Sequence, residues 1–152
     1  MAHSSQAAGG GAFLRGAGVA LFALVGVFYL LFGAFYFSVN DILFFHAAAV
    51  PEAARDAIKP LYFALMRLIG GASVAVGLLG LYGVAWPLRR GVPFAAMALA
   101  VAFALPALAA AYVAETLAKA AGAPTSWHLM GILLGFVAAA LAASLLGVRS
   151  RL

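Results

Sequence analysis

Apolar residues fall into four long runs, at about 13–37, 61–86, 92–117 and 126–148, separated by short polar stretches. At a rise of 1.5 Å per residue each run is long enough, as a helix, to cross a hydrocarbon core of roughly 30 Å. The pattern predicts an all-α polytopic membrane protein, a four-transmembrane-helix bundle. Residues 1–11 are small, polar and glycine-rich without periodicity and are expected to form a flexible cytoplasmic tail, leaving 12–152 as one transmembrane domain.

The longest interruption, 38–60, is the expected outer loop. It carries Asn40, Asp41, His46, Glu52, Arg55, Asp56 and Lys59 around an apolar patch, Leu43 to Phe45, expected to dip into the membrane interface. Pro51 suits the first position of a short helix, and Pro60 is expected to kink or break the chain before the second span. Pro106, inside the third span, is expected to kink that helix.

Composition sharpens this picture. The chain is 67% hydrophobic and 9% charged, whereas soluble domains are near half apolar and a quarter charged. The first run, about 25 residues long, exceeds the roughly 7–15 residues of a signal-peptide core and reads as a span. The absence of cysteine excludes disulfides, thiolate ligands and thiol nucleophiles.

Several of the 17 glycines stand where helix backbones would meet in lipid. Gly26 and Gly33 lie a heptad apart on the first span. Gly70, Gly71, Ser73, Gly77 and Gly80 form a ladder on the second, which is therefore expected to be the central element. Gly131 and Gly135 form a GxxxG pair on the fourth. Contacts with protein partners or a second copy are expected through Gly70, Gly71, Gly77, Gly131 and Gly135.

The net charge of +5 comes from basic residues set singly or in pairs at the ends of apolar runs. That is membrane topology rather than nucleic-acid binding. Arg15, Arg89, Arg90, Arg149 and Arg151 fall on one side, against Arg55, Lys59 and Lys119 on the other. The positive-inside rule then puts both termini in the cytoplasm, in a bacterial inner membrane, and all four acids outside.

Candidate chemistry is confined to that outer face. Arg67 and Glu115 sit at about the outer edge of the core, where an ion pair between adjacent helices would be shielded from water. A structural role, by snorkelling or helix capping, is the stronger reading for both. Asp41, His46 and His128 fall at similar depth, but each histidine stands alone, so no metal site is assigned. The expected outer cluster is thus Arg67, Glu115, His128, Asp41 and His46. Trp86, Trp127, Tyr62 and Tyr112 read as interfacial anchors. The phenylalanines from Phe22 to Phe45 form an apolar wall where a quinone or acyl chain would fit, although core packing is the favoured reading. Serines at mid-membrane depth, Ser73 and Ser144, are expected to bond their own backbone.

The segments LRGAGVALFALVGVFYLLFG and MRLIGGASVAVGLLGLYG, the latter followed by WPLRRG, together resemble the DoxX-like group of small bacterial four-helix membrane proteins. The resemblance implies an inner-membrane bundle with a respiratory or redox partner, and no catalytic residues carry over. The expected function is a non-catalytic accessory subunit of a larger membrane complex, with no cofactor assigned. The alternative is a quinone-, lipid- or metal-binding redox protein using the outer cluster.

Overall fold

The computed structural model describes the backbone of residues 2–149 and the side chains of 10–148. Met1 and Arg151 lie outside the described residues, as do the side chains of His3 and Arg149. The described chain is helical: α1 (Ala2–Phe37), a short α2 (Phe44–Ala47), a 3-10 turn (Glu52–Ala54) running into α3 (Arg55–Gly83), a π-helical turn (Val84–Leu88), α4 (Ala95–Ala121) and α5 (His128–Arg149). Four of these helices are long and apolar enough to span a membrane. Their outward faces are apolar, with Leu31, Leu68, Leu79, Leu105 and Ile132 all exposed. Such a surface suits lipid and would be untenable in water.

Boundaries differ from the expected ones for local reasons. Helix α1 begins at Ala2, so residues 2–11 continue the helix where a tail was expected, and Gly11 is buried where its carbonyl approaches Gly147 of α5. Pro51 caps the 3-10 turn from the position before it. Pro60 breaks nothing, because α3 runs through it. A proline there frees only the carbonyl of Asp56, an exposed residue near the helix start where solvent can satisfy it.

Helix α1, rather than α3, is the central element, packing along α3 on one side and α5 on the other. Each contact has its own glycine pair. Toward α3, a methyl group on Gly33 would lie 2.7 Å from the carbonyl oxygen of Gly70, and one on Gly77 would lie 2.9 Å from that of Gly26. Toward α5, Gly18 abuts Ser144, and a methyl on Gly147 would lie 2.8 Å from the backbone nitrogen of Arg15. Helix α4 packs mainly on α5 and meets α3 sparsely.

Phe103 of α4 is the keystone of the buried core. Its ring stacks on Tyr29 at 5.6 Å and on Phe22 at 6.3 Å, and it fills the notch left by Gly80 of α3. Its carbonyl accepts a 2.7 Å hydrogen bond from Tyr29 Oη, one turn before Pro106 interrupts the backbone ladder of α4. At the arginine end, Arg15 donates to the carbonyl of Arg89 at 2.6 Å, and Arg90 lies 3.5 Å over the Trp86 ring. The first contact ties the first half of α1 to the α3–α4 turn, and the second braces that turn internally.

Glycine positions therefore divide into filled and open. Gly70 and Gly77 are consumed within the chain, Gly131 faces its own Trp127, and nothing approaches Gly71 or Gly135. Gly70→Val should lower stability by about 1–3 kcal/mol, the usual cost of overpacking, whereas Gly71→Val should leave it nearly unchanged. Unfolding of both variants in mixed micelles, followed by circular dichroism, checks the contrast.

Candidate functional site

The site grows out of the sparse meeting of α3 and α4. At the end opposite Arg15, Arg89 and Arg90 the two helices face each other across a cavity of about 420 Å³. Helix α1 supplies its back wall. Phe28, Phe32 and Tyr36 recur at every fourth position and so share one face, with ring centroids 5.7 Å apart for the first pair and 4.4 Å for the second. Met66, Ile69 and Ser73 line the cavity from α3, and Pro106, Ala110 and Val113 line it from α4. Ile69 and Val113 are also 41% and 53% exposed, so the cavity opens between α3 and α4 toward lipid.

The loop after α1 folds over the end of this space. Phe45 and His46 of α2 line the cavity while Phe44 points away, 76% exposed. Tyr62 of α3 holds α2 in place: its hydroxyl accepts from the backbone N–H of Leu43 at 3.2 Å and lies 2.8 Å from His46 Nδ1. Since the Leu43 bond occupies a lone pair, the phenolic proton is free to point at Nδ1, which fits a neutral His46. Arg55 adds a 3.2 Å bond to the carbonyl of Ala47. The apolar patch from Leu43 to Phe45 is therefore part of a cap on the protein's own cavity.

The expected outer cluster is not brought together. Glu115 pairs with Lys119 one turn along its own helix at 3.1 Å, while Arg67 is exposed and has no polar partner among the described residues. The two do not pair. His128 is exposed, stacks on Trp127 with centroids 4.6 Å apart, and bonds to Ser126. Asp41 is exposed and accepts the N–H of Ile42 at 2.8 Å. Among the described residues no three His, Asp or Glu side chains converge in metal-binding fashion. Of the five candidates only His46 reaches the cavity.

Three site residues escaped sequence reasoning. Tyr62 looked like an interfacial anchor but holds the cap. Tyr36 stands within the phenylalanine run, one turn after Phe32, and completes the stack on that face. Ser73 lines the cavity, 9% exposed, and makes no hydrogen bond among the described residues. It departs from the expected back-bonding that Ser144 does show, at 2.8 Å to the carbonyl of Ala140. The four-residue spacing of aromatics on α1 was the one available signal.

Comparison with known proteins returns no match: no family pattern covers the chain, and no curated protein or solved structure is detectably similar to it.

Burial holds the affinity of His46 for a proton below the ordinary histidine value, because its charged form loses hydration. A depressed value in the folded protein means that His46 contributes stability above its unfolded value of about 6.5, and that this is lost as pH falls through the folded value. Amide exchange in residues 41–50, corrected for intrinsic rates, should therefore speed up between pH 7.5 and pH 5. His46→Gln should flatten that pH dependence. Protection that stays constant across the range would rule out a neutral His46 as part of the latch.

Proposed function

We propose that this protein is a non-catalytic integral membrane protein that holds one lipophilic molecule, a lipid or quinone, in the cavity between α3 and α4. The carrying observation is the cavity itself: about 420 Å³, within the 300–1,000 Å³ of ordinary ligand pockets. An aromatic stack forms its wall, a hydrogen-bonded cap closes one end, and its opening faces the bilayer. In a soluble protein an apolar space of this size is already a candidate site. Here the surrounding lipid also supplies a reservoir of apolar ligand.

Orientation forms part of the same proposal. Arg15, Arg89 and Arg90 gather at one end through the Arg15–Arg89 bond, which supports placing that end, and both termini, in the cytoplasm of a bacterial cell. The cavity would then lie in the outer leaflet. The likeness of the first two long helices to DoxX-like proteins supports an inner-membrane setting with a redox or respiratory partner. A second reading, an accessory subunit of a larger complex, is favoured by Gly71 and Gly135, small positions that meet nothing in this chain.

One preparation separates these readings. The protein is purified from native membrane into nanodiscs, and the proteins and small molecules that travel with it are identified by mass spectrometry. A binding protein should retain a lipophile at near one per chain, and Ala72→Phe/Ala110→Phe, which fills the cavity from two walls, should reduce its occupancy by about tenfold. Stoichiometric larger subunits with no retained lipophile would select the accessory reading instead.

A further inference from the structure

The polar groups around the cavity restrict what it can hold. No lysine, arginine, aspartate or glutamate lines it. Of the charges nearby, Asp56 pairs with Lys59 at 2.9 Å and Glu115 with Lys119, Arg55 donates to the carbonyl of Ala47 and keeps a buried Nε without a partner among the described residues, and Arg67 is exposed; none of them is part of the cavity wall. An ionised head placed inside would lose its hydration with no opposite charge to meet it. The lining hydroxyls and imidazole, by contrast, are hydrogen-bonding groups without net charge when His46 is neutral.

Those groups also stand at two depths. Gly33 and Gly70 mark a common level on α1 and α3. From there Tyr36 lies three residues toward the cap and Ser73 three residues toward the membrane centre, a separation of roughly 9 Å along the helix axes. At the deep level the other hydroxyl, that of Tyr29, is spent on the carbonyl of Phe103. Thr125 likewise donates to the carbonyl of Ala114 at 2.8 Å. Ser73 is 9% exposed as a residue, lines the cavity, and has no hydrogen-bond partner for its hydroxyl among the described residues. A serine on a membrane helix can always fold back onto its own backbone, as Ser144 does. Leaving Ser73 open is useful where something else in the cavity satisfies it.

Building on the cavity as a ligand site, we infer that its occupant is an uncharged lipophile carrying a hydroxyl or carbonyl oxygen that hydrogen-bonds Ser73, with its apolar body against Phe28 and Phe32. A plain hydrocarbon leaves Ser73 unsatisfied, and a fatty acid anion brings a charge that the lining cannot meet. The class is therefore set by two absences of different kind: no counter-ion in the wall, and no internal partner for one deep hydroxyl.

Three probes sharing one apolar body isolate both points: hexylbenzene, 4-hexylphenol and 4-hexylbenzoate. Each is equilibrated by dialysis at pH 8 with nanodiscs containing the full chain, and uptake by empty nanodiscs is subtracted. The phenol should bind about tenfold more tightly than either relative, as expected of a site built to hydrogen-bond one group. Ser73→Ala should bring it down to the level of hexylbenzene, and Ser73→Thr, which keeps the hydroxyl, should preserve the preference. Benzoate binding as tightly as the phenol overturns the uncharged class. Equal binding of hexylbenzene and phenol, or an unchanged preference in Ser73→Ala, overturns recognition through Ser73. In both cases displacement by Ala72→Phe/Ala110→Phe would leave the ligand-site reading standing. Uptake of none of the three above empty discs counts against both.

Discussion

The structure depends on the close approach of two backbones. In lipid no hydrophobic force draws helices together, because the tails are as apolar as the side chains, so association rests on dispersion at short range and on weak contacts between Cα–H groups and carbonyls. These interactions fall away steeply when side chains intervene. Helices α1 and α3 remove the intervening side chains at two levels by pairing Gly26 with Gly77 and Gly33 with Gly70. The pairs are seven residues apart on both helices and run in opposite directions, so one antiparallel register satisfies both at once. A slip by a single residue would set a leucine or phenylalanine where a glycine is needed.

That contact determines where the cavity can be. Helix α1 is committed on one side to α3 and on the other, through Gly18 and Gly147, to α5. Helix α4 is thus held chiefly by α5 and by Phe103, whose ring reaches under Gly80 and between Phe22 and Tyr29. Phe103 closes the bundle at mid-membrane. Beyond it, toward the cap, Ala72 and Ser73 of α3 and Ala109 and Ala110 of α4 line the gap with short side chains, and the space between the helices is left unfilled. Pro106 lies at the base of this widening, at the point where the ladder of α4 is interrupted.

The sequence made the spans legible because apolar length is a one-dimensional property, readable from Phe13 onward without knowing any neighbour. The glycine heptad on α1 was legible for the same reason. Which helix is central was not, since both α1 and α3 carry glycine ladders and only their pairing shows that α1 uses two faces. Pro60 misled because a proline is disruptive deep in a helix and nearly harmless close to its solvated start. The site was legible least. A cavity is an absence shared among α1, α2, α3 and α4, and its lining of Phe28, Phe32, Ala110 and Val113 is composed of residue types that elsewhere signal core.

Charge does not mark the cavity, and the reason is physical. An ionisable residue well inside a membrane demands a partner and so reports function. Arg67 and Glu115 lie close enough to the boundary for long flexible side chains to reach headgroups or a neighbour such as Lys119. They therefore carry no information about each other. A hydroxyl has no such reach. Ser73 cannot snorkel, and its oxygen stays at the depth where the backbone puts it. In the low-dielectric interior, polar side chains that are short, like Ser73, or held rigid by ring packing, like Tyr29, thus mark place more reliably than long flexible charged ones. Tyr29 is answered by the carbonyl of Phe103, which leaves Ser73 as the polar position that defines the deep end of the cavity.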